Sequence, residues 1–293
     1  MFFYFLNQAG QTQEKILFLP VIYRCCFHIL LLPMFVTKLS HPAEVKGMKK
    51  AYPIGAAALI LAAMPVYNAS AVSSVKMGYG QGTQTDDRNC PLGAADFNAN
   101  YSKYDAYAMT NDEKRIILTF DQGYENGFTE PILDVLKRKN VKAIFFLTGD
   151  YAKKEEGLVK RMIKEGHTLG NHGMTHASLP ELSDSELEEE VMSLHKFVLE
   201  KYGYEMQYLR PPCGEYSERS LEQCKKLGYK TLMWSFAYVD WKTDAQPDKQ
   251  QALGKMLESA HGGGIYLLHS VSSTNAAVLG DAIDGLREKG FIL

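Results

Sequence analysis

Arg115-Ile116-Ile117-Leu118-Thr119-Phe120-Asp121-Gln122-Gly123-Tyr124 is an apolar run that ends on a carboxylate and an amide. Its β-branched and aromatic residues over 115–120 predict a short buried strand. At Thr129 the period changes: Pro131 falls in a first helical turn, and Ile132, Leu133, Val135 and Leu136 mark an inward face. A strand with a polar exit, followed at once by a helix, is the repeating unit of a parallel α/β fold.

Downstream the alternation continues. Residues 141–147 read as a second strand, and Leu158, Met162 and Ile163 mark a helix that stops at Gly166. A short third strand lies around Thr168 and Leu169. Ser183-x-x-Glu186 resembles a capping box, and Leu187, Val191, Leu194 and Val198 form one face of the long helix behind it. Strands are then predicted at 208–210, 231–234 and 265–268, with helices at 217–227, 248–260 and 276–289. Roughly six β/α units fit in about 180 residues, whereas an eight-fold barrel needs about 250. The expectation is therefore a smaller or incomplete barrel, or an open parallel sheet. Residues 290–293 look like the start of one more strand, so closure would lean on the segment before residue 112.

In such folds chemistry gathers where strands finish. The polar residues there are Asp121 and Gln122 after the first strand, His172 and His176 after the third, and Arg210 at the fourth. Asp240 and Trp241 lie beyond the fifth, and His269 follows the sixth. His172 and His176 are four apart, so on a helical turn they share a face and suit a divalent transition metal. Alone, such a pair reads as ordinary surface or core histidines; its place on a polar rim argues for a ligand role. Asp121 is a candidate general base and His269 a candidate acid.

Composition excludes other classes. With 293 residues, 46% hydrophobic and 23% charged, the chain is neither a disordered tail nor a polytopic membrane protein. A formal charge of −2 leaves no electrostatic footprint for nucleic acid. Five cysteines are too few for a disulfide scaffold.

The first seventy residues differ from the rest. Met48-Lys49-Lys50, an apolar run at 56–64 and Ala69-Ser70-Ala71 read as a signal peptide over 48–71, with cleavage after Ala71. Residues 1–47 are then an upstream extension, with Met48 as the expected start. The run 16–36 carries Arg24, His28 and two prolines and makes a poor spanning helix. The competing reading is a membrane anchor in this N-terminal segment. Without residues 1–71, which hold six basic and two acidic groups, the formal charge becomes −6. Residues 72–111, with Gly78, Gly80, Gly82, Asp86, Asp87, Asn98 and Asn100, lack sustained periodicity and read as a linker or wrapping arm before a domain at 112–293.

Thr119-Phe120-Asp121-Gln122-Gly123-Tyr124, Asn171-His172-Gly173-Met174-Thr175-His176, Arg210-Pro211-Pro212-Cys213-Gly214, Asp240-Trp241 and Leu267-Leu268-His269-Ser270 together resemble the five ordered motifs of the polysaccharide deacetylases, the NodB homology domain. Tyr124-Glu125-Asn126-Gly127, Glu215-Tyr216-Ser217-Glu218-Arg219 and Val239-Asp240-Trp241-Lys242 are similar to the branch that deacetylates N-acetylmuramic acid on the way to the muramic δ-lactam of spore cortex.

The resemblance implies a distorted, incomplete (β/α)7-type barrel with amide hydrolysis at the C-terminal ends of its strands. It implies Asp121 as base, Arg210 as its orienting partner, His269 as acid tuned by Asp240, and His172 and His176 as holders of a divalent metal, Zn2+ or else Mg2+ or Mn2+. Tyr124, Trp241, Pro212 and Gly214 would line the sugar groove. Most of the family carries a second Asp where this chain has Gln122, so Gln122 is a weak or absent ligand and metal binding is expected to be loose. The implied partner is the glycan strand of peptidoglycan, met outside the cytoplasm in cell wall or spore cortex. The alternatives are an N-acetylglucosamine deacetylase on peptidoglycan or chitin, a xylan esterase, or a non-catalytic glycan-binding module. Cys213 lies within the Arg210 loop without a paired base, and no bridge is assigned among Cys90, Cys213 and Cys224.

Overall fold

The computed structural model describes residues 72–293, and the predicted extension 1–47 and signal peptide 48–71 lie outside them. The first part carries strand β1 (Met77–Gly78), helix α1 (Leu92–Tyr101) and strand β2 (Ala106–Tyr107). Strand and helix then alternate as β3 (Ile116–Gln122), α2 (Thr129–Arg138), β4 (Ile144–Leu147), α3 (Gly149–Lys154), α4 (Glu156–Lys164), β5 (Thr168–Asn171) and α5 (Asp184–Tyr202). The last part holds β6 (Tyr208–Leu209), β7 (Glu215–Tyr216), α6 (Glu218–Lys226), β8 (Lys230–Leu232), α7 (Lys249–Glu258), β9 (Gly264–His269) and α8 (Ser273–Glu288).

Seven strands form one sheet in the order β2-β8-β6-β5-β4-β3-β9, with every pairing parallel. The chain leaving β8 crosses to the far edge: Ser235 N–H donates to Ile265 O (2.9 Å) and Leu267 N–H to Phe236 O (2.8 Å). These bonds curl the sheet towards itself and give the distorted, incomplete barrel that the motif resemblance implies, one of the two forms the β/α alternation left open.

The segment 72–111 does more than link. Ala106 and Tyr107 pair with Thr231 and Leu232 to supply an edge strand, and α1 buries Ala94 and Phe97 in a small core with Tyr216, Leu221 and Met233. Two buried side chains spaced by three residues are too weak a stripe to register as a period. The predicted C-terminal strand shrinks to one bridge, where Ile292 lies beside Arg115 and accepts from Ile116 N–H at 2.9 Å.

Local signals explain the longer helices. Ser183 and Glu186 close a reciprocal capping box, and Leu187, Val191, Leu194 and Val198 are buried as their spacing requires. α2 buries Ile132, Leu133, Val135 and Leu136 against β3 and β4, whose Phe120 and Phe145 stack at 5.1 Å. Predicted strand ends differ by one to three residues: 141–147 begins at Ile144 and 231–234 stops at Leu232. Apolar side chains continue past the hydrogen-bonded ladder at both places.

At Gly170 the barrel interior admits no side chain, because a methyl group there would overlap the ring of Phe146, itself buried under the Arg210 guanidinium at 4.3 Å. Gly170→Ala is expected to cost about 1–3 kcal/mol by overpacking, read as a lower urea midpoint at unchanged m-value.

Candidate active site

Asp121 and Gln122 are the last two residues of β3, not residues of the loop after it. Register then sets the rim: Asp121 lies beside His269 on β9, Gln122 beside Leu147 on β4, Leu147 beside Asn171 on β5, and Asn171 beside Leu209 on β6. Five strand ends thus align along one rim.

Arg210 is fully buried and reaches across this rim. Its Nη1 donates to Asp121 Oδ1 and Thr119 Oγ1, each at 2.8 Å, while Nε and Nη2 donate to the carbonyls of Leu232 (3.0 Å) and Met233 (2.9 Å). Four acceptors and the Phe146 ring hold the guanidinium in one pose. Burial alone would push the Asp121 carboxyl upward, but Arg210, His172 and His269 together outweigh it and hold it below the usual carboxylate range.

His172 and His176 do meet, with ring centroids 4.8 Å apart at 76°. The reason is not a helical turn: residues 172–178 form a loop in which Gly173 has φ 82° and His176 φ 63°. Glu190 holds that loop. Its carboxylate accepts from Thr175 N–H (2.7 Å), Thr175 Oγ1 (2.8 Å) and Ala177 N–H (3.2 Å), and a side chain at position 173 would strike it. Glu190 escapes motif reading, yet it sits on the apolar stripe of α5 three residues after Leu187, where a carboxylate is itself a signal.

His172 Nδ1 faces the Arg210 carbonyl at 2.8 Å, so that nitrogen carries the proton and the Nε2 lone pair faces Asp121 Oδ2 at 3.5 Å. Burial drives His172 down to about 4, leaving the ring neutral at pH 7. Two acceptor atoms confronting one another across a short gap is an arrangement a cation relieves. Yet among the described residues no three His, Cys, Asp or Glu side chains converge as a ready metal cage. Gln122 does not complete one: its Nε2 donates to Ser270 Oγ, its Oε1 is buried without a partner, and it lines neither cavity of the rim. The donor set fits a cation held by the two imidazoles, and weakly.

Asp240 is fully buried beside His269. Its Oδ1 accepts from His269 Nδ1 (2.7 Å) and its Oδ2 from the His269 backbone N–H (2.8 Å). Burial presses the His269 ring towards neutrality, but the hydrogen bond and charge of Asp240, with the charge of Asp121, raise it above the ordinary histidine value. The rim therefore sets a carboxyl held below its usual range beside an imidazole raised above its own, on neighbouring strands.

Two cavities of about 640 and 400 Å³ meet over Asp121, His172, His176, Trp241 and His269. Tyr124, 53% exposed, lines the smaller one, and Trp241, 47% exposed, lines both, 5.6 Å from the His269 ring. Gly214 lines the larger, where an added side chain would meet Trp234 at 2.7 Å. Pro212 does not reach the groove; it is buried and begins the turn that presents Cys213 and Gly214. Among the described residues all three cysteines are free, and burial pushes the Cys213 thiol up, away from a reactive thiolate. One wall of the larger cavity, at Gly80 and Gln81, comes from the segment before α1: Trp234 Nε1 donates to Gln81 Oε1 (2.9 Å) and Gln81 Nε2 to Ala237 O (3.3 Å).

Comparison with known proteins agrees with this geometry. Residues 108–232 match the family model described as polysaccharide deacetylase. The chain is 44% identical over 203 residues to the peptidoglycan-N-acetylmuramic acid deacetylase PdaA of Bacillus subtilis, covering 69% of this chain and 77% of that protein. It is 36% identical over 184 residues to the peptidoglycan-N-acetylglucosamine deacetylase PgdA of Listeria monocytogenes, covering 63% of this chain and 38% of that one. The solved structure of B. subtilis PdaA, described as a family 4 carbohydrate esterase, superposes with a TM-score of 0.71 at 41% identity, over 75% of this chain and 95% of that one. A family 4 carbohydrate esterase from Bacillus anthracis superposes with a TM-score of 0.63 at 36% identity, over 76% and 95% of the respective chains. The chain belongs to the polysaccharide deacetylase family and is a hydrolase of amide bonds.

Proposed function

We propose that the protein removes the N-acetyl group from N-acetylmuramic acid in peptidoglycan glycan strands, the step that precedes muramic δ-lactam formation in spore cortex. The observation that carries the chemistry is the pairing of Asp121, whose ionised form Arg210 favours, with His269, whose protonated form Asp240 favours, on adjacent strands of one groove. The likeness to PdaA supports the muramic substrate.

In this reading Asp121 takes a proton from the attacking water while Arg210 fixes its orientation. His269 uses its Nδ1 on Asp240, which leaves Nε2–H to protonate the departing amine. Trp241 and Tyr124 offer exposed ring faces to the sugar. His172 and His176 would hold a divalent cation, which when bound polarises the acetyl carbonyl. Gln122, turned to Ser270, supplies no charge, so the ion is held loosely.

Acetate release from peptidoglycan glycan strands stripped of stem peptides, followed by mass spectrometry of the digested sugars, tests the substrate. De-acetylated muramic acid supports the proposal; de-acetylated glucosamine alone moves the substrate to that of PgdA, and no acetate at all leaves a binding module. Export under the 48–71 signal peptide belongs to the same proposal, and N-terminal sequencing of the exported protein checks it.

The pH profile follows from the two protonation states. Asp121 must be ionised, which holds above its lowered value; His269 must be protonated, which holds below its raised value. Because kcat/KM reports the free enzyme, the rate should fall as pH rises through the His269 titration, whose midpoint lies above 6.5. An alkaline limb centred below 6.5 would remove His269 from the acid role.

A further inference from the structure

Asp240 has a second buried neighbour that no motif of the sequence singles out. Asn275, in the first turn of α8, is fully buried, and its Nδ2 donates to Asp240 Oδ2 at 2.5 Å and to the His269 backbone carbonyl at 3.1 Å. The amide is not free to flip: Asp240 Oδ2 and the His269 carbonyl are acceptors only, so the nitrogen must face them, and Oδ1 accepts from the Tyr238 hydroxyl on the other side. Ser272 Oγ, the cap of α8, accepts from Asn275 N–H at 3.0 Å and fixes the backbone from which the amide projects.

A buried carboxylate with one oxygen on the imidazole must have its other oxygen satisfied, or it turns to find a donor and takes the imidazole with it. The His269 N–H alone holds Oδ2 from one side; the Asn275 amide holds it from a different element, α8, and also grips the strand end that carries the imidazole. We infer that Asn275, oriented by the Tyr238 hydroxyl, is a positioning residue that holds the Asp240 carboxylate, and through it the His269 ring, in the pose from which the proton is delivered. The inference rests on the proposed acid role of His269.

A double-mutant cycle separates this from a plain packing role. Kinetics of acetate release are measured on glycan strands stripped of stem peptides, with the full-length protein. Asn275→Leu, close in shape and without polar atoms, is expected to lower kcat about 10- to 100-fold, the range seen when groups behind a functional side chain are removed, with KM held within about two-fold. In an Asp240→Asn background the same change should cost less than about two-fold, because the carboxylate it positions is gone. Should Asn275→Leu fail to fold, Tyr238→Phe carries the cycle: it removes one hydroxyl and should lower kcat several-fold in the parent and hardly at all beside Asp240→Asn. Equal losses in both backgrounds, or a loss that appears in KM, would overturn the inference. An Asp240→Asn protein with the parent's kcat would overturn the acid assignment beneath it, and the inference with it.

Discussion

The Asp121→Asn protein is expected to release acetate about 10²- to 10⁴-fold more slowly than the parent, with KM little changed. Asn keeps an oxygen where Arg210 Nη1 needs an acceptor, and the guanidinium retains Thr119 Oγ1 and the carbonyls of Leu232 and Met233. The rim therefore stays assembled while the carboxylate assigned as base is lost. Initial rates on stripped glycan strands, beside a circular dichroism melt, check both halves. A variant that retains the parent's kcat would show that Asp121 is not the base.

Arg210→Met is expected to give the largest loss of stability of any single change at the site, about 3–5 kcal/mol. Methionine fills much of the space over Phe146, but Asp121, 7% exposed, is left as a buried charge whose remaining contact is His172 Nε2 at 3.5 Å. The carbonyls of Leu232 and Met233 lose their donors as well. The pH dependence should reverse sign. In the parent the Asp121 carboxyl is lowered, so its contribution is present above the unfolded carboxylate value of 3.8 and is lost as pH falls through the folded one. Without Arg210, burial dominates and raises the carboxyl, so the folded variant binds a proton more readily than its unfolded chain and regains stability as pH falls. Urea midpoints at neutral and at mildly acidic pH should show the gap between parent and variant narrowing in acid. A gap that is constant with pH would mean that the loss is one of packing and not of charge.

The two variants act on one pair from opposite ends. Removing the carboxylate takes the chemistry and spares most of the scaffold; removing the guanidinium takes the scaffold first. That division follows from hydrogen-bond number: the cation has four acceptors, two on β3 and two at the exit of β8, and the anion depends on the cation.

Where the sequence was informative, the physics was local. Leu187, Val191, Leu194 and Val198 declare a buried helical face because burial on a helix recurs every three or four residues. The apolar run before Asp121 declares a buried strand because both faces of a covered parallel sheet are dry. From such runs the order of elements, the parallel fold class and the rim carrying Asp121, His172, Arg210 and His269 could all be read, and five motifs in order pointed to the family.

Tertiary structure decided what depends on distant partners. β2 is two residues long and exists because β8 offers it an edge; nothing within Ala106–Tyr107 announces a strand. Whether Gln122 faces an imidazole or Ser270, whether Pro212 lines the groove or supports it, and how His172 and His176 meet without a helix are set by groups far away along the chain. Asn275 finds Asp240 only after β9 and α8 have packed, 35 residues on. Periodicity records how one element meets solvent or core, whereas a hydrogen bond between remote side chains leaves no mark on its neighbours in sequence.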